Sequence, residues 1–371
     1  MAEVEYGKIT DAGLARIRSR VGQGFQGRRQ WRTEVTRDAI YHLALAVGDL
    51  SPMYLDEAYA GRTRWGTLLA PPIMINSMDT LRAVGSAGLP EGLPGVHSIW
   101  SGSYYEYEQP LKLGDVVHSK SYLKEVVERQ SGFAGGRAVY QTYEAVYWNQ
   151  KDEKIGMRQD TWIRNERNKT RETSKYGDID LAEWTPEQID RLYESYDTEE
   201  RTASRRWDEV KVGDELPTIM KGPLTPTAEI AFESYFGIYL VGNKVAANLF
   251  KKHPKLMIPN EQGVPEPPQR VHWDNRFTKK LLGLPGAYDL GIERCAWLMQ
   301  VATNWMGDDA MLRNIDVQYR KFNYMGDLTW NKGKVAEKKQ EGGRNTVRLE
   351  VWCENQRGEV TARGDAEVTL P

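Results

Sequence analysis

Between Val271 and Asp309 the chain reads VHWDNRFTKKLLGLPGAYDLGIERCAWLMQVATNWMGDD, and the side chains able to do chemistry stand near its start. His272 and Asp274 lie two apart, and an imidazole is the one side chain whose ordinary proton exchange falls near neutral pH. A Gly/Pro turn at 283–286 leads into a segment that is apolar on nearly every side, through Cys295, Ala296, Trp297, Leu298, Met299, Val301, Ala302 and Trp305. A helix of that kind has to be buried all round. Its polar residues, Tyr288, Asp289, Glu293 and Arg294, collect at its beginning, around first-turn N–H groups that lack intrahelical partners and form a positive site.

The chain that must position this stretch has 371 residues, long for one core and comfortable for two domains. At 40% hydrophobic and 27% charged, with a formal net charge of -2, it has the makeup of a soluble globular protein without the basic excess of a nucleic-acid binder. No apolar run reaches the roughly 20 residues a membrane helix needs. The first ten residues, MAEVEYGKIT, are acidic and polar where a secretory signal is basic and then apolar, so a cytoplasmic protein is expected. Cys295 and Cys353 both fall in core-like segments, and the histidines at 42, 97, 118, 253 and 272 show no metal-ligand spacing. Nor is there a Gly-rich phosphate loop of either common kind.

Compared with itself, the sequence falls into two halves. Thr36 to Gly48 (TRDAIYHLALAVG) aligns without gaps on Thr225 to Gly237 (TPTAEIAFESYFG), each a Thr-started helix closing on glycine. PLKLGDVVHSKSYLKEV, around Gly114 and Asp115, matches KFNYMGDLTWNKGKVAE, around Gly326 and Asp327. Both halves end in alternating apolar and polar residues about an Asn-Gln turn, the pattern of antiparallel strands. Residues 1–164 and 207–371 therefore form a tandem duplication, each copy a curled antiparallel sheet around a buried helix, which makes the fold class α+β. The two central helices are expected over about Pro72 to Val84 and Tyr288 to about Trp305. The charged stretch 165–206 between the copies reads as a solvated connector, with a helix capped by Thr185 and started by Pro186.

GDLSPMYLDEAYAGRTRWGTLLAPP at 48–72, followed by PLKLGD, resembles the N-terminal half of the MaoC-like acyl dehydratases, which have a double hotdog fold. VHWD, PGAYDLGIERCAWL, TNWMGDD and the later MGD are similar to the C-terminal half of the same proteins. The resemblance spans nearly everything outside the connector. It implies reversible hydration of an enoyl-CoA to a 3-hydroxyacyl-CoA, no cofactor beyond the CoA of the substrate, and assembly of pseudo-dimers into homo-oligomers.

In that family a Gly-Asp pair is followed, five residues after the aspartate, by a histidine; the two hold and deprotonate a water while N–H groups of the central helix polarise the thioester oxygen. Here the first half keeps Gly48, Asp49 and Pro52 but has Tyr54 in place of the histidine. The second half has Ile238 opposite Asp49 and carries His272 beyond a run of 33 residues, Tyr239 to Val271, whose apolar start suits an acyl chain. By the resemblance His272 is the base, with Asp289 or Asp274 as its carboxylate, Asp49 in a second and degenerate loop, and Tyr288, Gly291, Tyr54, Ile238 and Tyr239 lining the substrate. The readings preferred for these two acids are a helix cap for Asp289 and a structural residue of the turn and next helix for Asp274. A non-catalytic acyl-CoA-binding subunit, or a hotdog thioesterase or other lyase, are the competing expectations.

Overall fold

Thr36 and Gly48 delimit a helix as their residue types dictate: the Thr36 hydroxyl accepts from the Ala39 N–H, and Gly48 closes the helix at φ 70° in the left-handed region. The computed structural model, in which this is seen, describes residues 7–24, 30, 32–79, 93, 95–130, 136–166, 179–198, 200–236, 240–252 and 257–371. Its first half contains α1 (Asp11–Arg18), α2 (Arg37–Val47), the short α3 (Pro52–Leu55) and α4 (Glu57–Ala60), and strands β1 (His97–Tyr107), β2 (His118–Gln130), β3 (Arg137–Trp148) and β4 (Lys154–Asn165). After α5 (Pro186–Tyr196) come β5 (Ile219–Lys221), α6 (Pro226–Phe236), α7 (Asn243–Lys252) and a small hairpin of β6 (Ile258–Pro259) and β7 (Pro265–Glu266). The chain then forms α8 (Asn275–Leu282), α9 (Gly291–Met306), β8 (Met311–Tyr319), β9 (Thr329–Glu341), β10 (Arg344–Asn355) and β11 (Val360–Leu370).

Nine strands make one antiparallel sheet in the order β2-β3-β4-β1-β8-β11-β10-β9-β5. Read outward from its middle, each half repeats one order, β1-β4-β3-β2 and β8-β11-β10-β9, and the halves meet where Gly102 to Glu106 pair with Gln318 to Asn314. The all-round apolar segment is α9, which packs on β8 to β11, on β1 and on the turn Pro72–Ser77, with Trp305, Leu298 and Cys295 fully enclosed. It starts at Gly291 rather than Tyr288, because Tyr288 is still extended and bridges to Tyr324.

Two expectations need correction. The described part of the first central helix, Pro72–Ser77, is a 3-10 turn whose Ser77 hydroxyl donates to the Met74 carbonyl; residues 80–84 lie outside the described residues. The connector is solvated only in part. Its helix α5 carries the Thr185/Gln188 capping box and buries no side chain. Its last residues, however, dock on the end of α9: the Thr202 N–H donates to the Asn304 carbonyl at 2.8 Å and Arg205 Nε to the Trp305 carbonyl at 2.6 Å, with the guanidinium over the Trp305 ring. Carbonyls in the last turn of a helix have no N–H of their own, and these donors supply it.

Candidate active site

His272 ends the 3-10 turn Pro268–His272, just ahead of α8, and its orientation is fixed by one contact. Nδ1 lies 2.8 Å from the Tyr288 carbonyl oxygen; a carbonyl can only accept, so Nδ1 carries the proton and Nε2 keeps a lone pair. The Tyr288 ring meets the imidazole edge-on at 4.8 Å between centroids. Burial pushes the His272 pKa down to about 4, against the opposing pull of the Tyr288 and Asp289 backbone. The ring is therefore a neutral base at any ordinary pH.

The carboxylates that reach His272 come from α6. Glu229 and Glu233 stand four apart on that helix, both fully buried, and each offers a donor atom such that these and a ring nitrogen of His272 all lie within 4.8 Å of one another. Glu229 Oε1 accepts the Leu290 N–H at 2.9 Å, which ties α6 to the residue before α9. From the first turn of α9 the buried Glu293 stands near Glu229. Burial and then the neighbouring carboxylates Glu293 and Glu233 raise the Glu229 pKa well above the usual range, and burial likewise raises that of Glu293. A neutral imidazole facing protonatable carboxyls is a base beside an acid. Among the described residues, Glu229, Glu233 and His272 are also the group whose donor atoms gather closely enough to hold a metal ion. Histidine spacing could not show this, because two of the three ligands are carboxylates brought in by the fold.

The other named residues take different places. Asp289 is not the helix cap, since Leu290 holds that position; it pairs with Arg294 at 2.8 Å and accepts from the Asn323 backbone and side-chain amides. Asp274 caps α8 through the Phe277 N–H at 2.8 Å and pairs with Arg270, which also binds Glu261 of the insertion. Neither carboxylate has a described hydrogen bond to His272; the carboxylates described close to its ring are those of α6. Gly291 is buried where a Cβ would press on the Tyr319 ring at 3.3 Å. Ile238 and Tyr239 lie outside the described residues.

In the first half, Asp49 and Tyr54 are both buried and adjacent. Asp49 accepts the Ser51 N–H at 3.1 Å. The Tyr54 phenol, hydrogen-bonded to Thr303, is driven upward by burial and then by the charge of Asp49, so it stays protonated. Arg201 of the connector closes this loop, bonding the Ser51 hydroxyl at 3.1 Å and pairing with Asp308, whose other oxygen takes the Tyr59 hydroxyl at 2.5 Å.

The family description FAS1-like, dehydratase domain region, matches residues 19–158. Over 96 residues the chain is 27% identical to a 3-hydroxybutyryl-CoA dehydratase of Methylorubrum extorquens, a match that spans 26% of this chain and 57% of that protein's length. A solved MaoC-like dehydratase superimposes with a TM-score of 0.67 at 17% identity, covering 96% of this chain and 100% of that one. A MaoC domain protein from Chloroflexus aurantiacus gives 0.58 at 11% identity over 95% of each chain. A Mycobacterium tuberculosis protein described as a double hotdog gives 0.58 at 9% identity, over 94% of this chain and 96% of that one. In class, then, this is a hotdog-fold protein. Within the class, the resemblance to the MaoC-like dehydratases read from the sequence is borne out.

Proposed function

We propose that the chain is a tandem hotdog hydro-lyase that interconverts an enoyl-CoA and a 3-hydroxyacyl-CoA, with one working site, in its second half. The mirrored strand order supports the tandem arrangement. The observation that carries the activity is the meeting of His272 with Glu229 and Glu233 beside the start of α9. In the dehydration direction His272 Nε2 takes the α-proton, and the C–H electron pair becomes the double bond. The Cβ–O bond breaks onto oxygen, and a carboxyl of α6 gives that oxygen its proton, so that water leaves. The imidazolium then returns its proton to the carboxylate. Glu233 takes the part of the family's aspartate, and first-turn N–H groups of α9 polarise the thioester oxygen. The insertion between α6 and His272, with α7 and the β6–β7 hairpin, supports a bulky acyl group, since it adds chain beside the site.

The test is to offer crotonyl-CoA and longer or aromatic enoyl-CoAs and follow the enoyl absorbance. Loss of absorbance with formation of the 3-hydroxyacyl-CoA is expected. Binding without turnover would point to an acyl-CoA-binding subunit, and release of free CoA to a thioesterase.

A further inference from the structure

Glu229 and Glu233 stand about one turn apart on α6, so both side chains leave the same face of the helix, and His272 meets them from the far end of the insertion. One ring nitrogen and one oxygen of each carboxyl lie within 4.8 Å of one another. Resting on the hydro-lyase proposal for this site, we propose that these three residues bind a divalent first-row transition cation, and that the bound ion holds the enzyme inactive by taking the lone pair of His272 that serves as the base.

Observations beyond the clustering point to a cation. The His272 Nδ1–H is committed to the Tyr288 carbonyl at 2.8 Å, which fixes the ring and its tautomer as an outer partner does for a metal-ligating histidine, and leaves the Nε2 lone pair to be given. Glu229 is 0% exposed and is held by the Leu290 N–H on Oε1 at 2.9 Å, but its enclosed Oε2 meets no N–H or hydroxyl donor among the described residues. A buried oxygen left that way is costly, and a metal ion is a partner that accepts its lone pair. The guanidiniums closest in sequence are spent elsewhere. Arg294 pairs with Asp289 and bonds the carbonyls of Lys321 and Thr361, and Arg270 pairs with Glu261 and Asp274; none of the described ion pairs reaches Glu229. Two ionised glutamates and a neutral imidazole match the charge of one divalent ion. A nitrogen with two carboxylate oxygens suits Zn²⁺, Mn²⁺ or Fe²⁺ better than Mg²⁺ or Ca²⁺, which take oxygen ligands. Nε2 cannot hold the ion and a substrate proton together, so the loaded site takes no α-proton.

The test is equilibrium dialysis of the full chain, first stripped with EDTA, against Zn²⁺, with the bound metal counted and enoyl-CoA hydration assayed before and after loading. One Zn²⁺ per chain is expected, with a higher thermal unfolding midpoint on loading. The hydration rate should fall by about 10²-fold or more, as on loss of a general base, and return with EDTA. Glu229→Gln and Glu233→Gln each keep the shape of the side chain. Both should weaken Zn²⁺ binding by more than the roughly 10–100-fold that loss of an outer partner costs, and both should lose the zinc-dependent rise in midpoint, a readout that needs no turnover. His118→Ala, which removes an exposed histidine beside Asp152, should bind Zn²⁺ as the wild type does. Unchanged binding in both glutamine variants, loss of binding in His118→Ala, or equal uptake of Mg²⁺ would overturn the site. A rate unmoved by loading, or one abolished by removing the metal, would overturn its inhibitory role. A stripped chain that binds Zn²⁺ through these glutamates yet never hydrates an enoyl-CoA would instead sink the hydro-lyase proposal beneath it.

Discussion

The two loops that correspond in the repeat have opposite contents. In the first, Asp49 and Tyr54 keep company with Ser51, Thr303 and Arg201, whose guanidinium bonds the Ser51 hydroxyl and pairs with Asp308. In the second, His272 looks onto two buried carboxyls, with Glu293 behind them. Tyr54 sits by Thr303, roughly 18 Å along α9 from Gly291 at about 1.5 Å per residue, whereas His272 sits at the other end, by Tyr288. One loop has been made a brace between connector and sheet. The other holds groups that can exchange protons, two of them carried on α6.

The difference can be broken by substitution, beginning with the largest effect. His272→Ala should lower kcat/KM for an enoyl-CoA by about 10²–10⁴, the usual worth of a positioned general base. Glu233→Gln keeps the shape and removes the charge that stabilises the imidazolium, and should cost roughly 10²-fold in kcat. Arg294→Met leaves Asp289 buried without its guanidinium and should destabilise the fold by about 3–5 kcal/mol in denaturant unfolding. Arg201→Ala opens the brace in the first half. It should cost about 1–3 kcal/mol of stability by unpairing Asp308, with kcat unchanged.

The histidine also sets a pH dependence of stability. In the folded protein it stays neutral down to about 4, while in the unfolded chain it takes up a proton near its ordinary value of 6.5. The unfolded state thus binds more protons between those values, so the contribution is present above pH 6.5 and is lost as pH falls toward 4. Unfolding midpoints of His272→Ala followed from pH 7 to 4 should decline less steeply than those of the wild type.

Much of this fold could be read from residue types, because caps and apolar periodicity act locally. Thr36, Gly48, Thr185 and Pro186 stand where helix ends require them, and α9 is buried as its composition demands. The end of the connector could not be read that way: Arg201 and Arg205 look like surface charges until the end of α9 is known to lie beneath them. The place of His272 near the start of α9 could be read from its motif. Glu229 and Glu233 were missed because two glutamates four apart on an amphipathic helix read as a solvated face. A signal was nonetheless present, since the gapless repeat sets Glu229 opposite Ile40 and Glu233 opposite Ala44, both core residues of α2. Acids at positions where the other copy buries hydrocarbon have to be neutralised or put to use.

That chemistry resides in the second half alone is tested most directly by assaying His272→Ala and Tyr54→Phe side by side, under one substrate and one pH, by loss of enoyl-CoA absorbance. The expected result is a loss of about 10²–10⁴ in kcat/KM for His272→Ala, and a rate within about twofold of wild type for Tyr54→Phe, whose phenol stays protonated. Full activity in His272→Ala, or a loss of that size in Tyr54→Phe, would contradict it and place the reaction at the Asp49 loop.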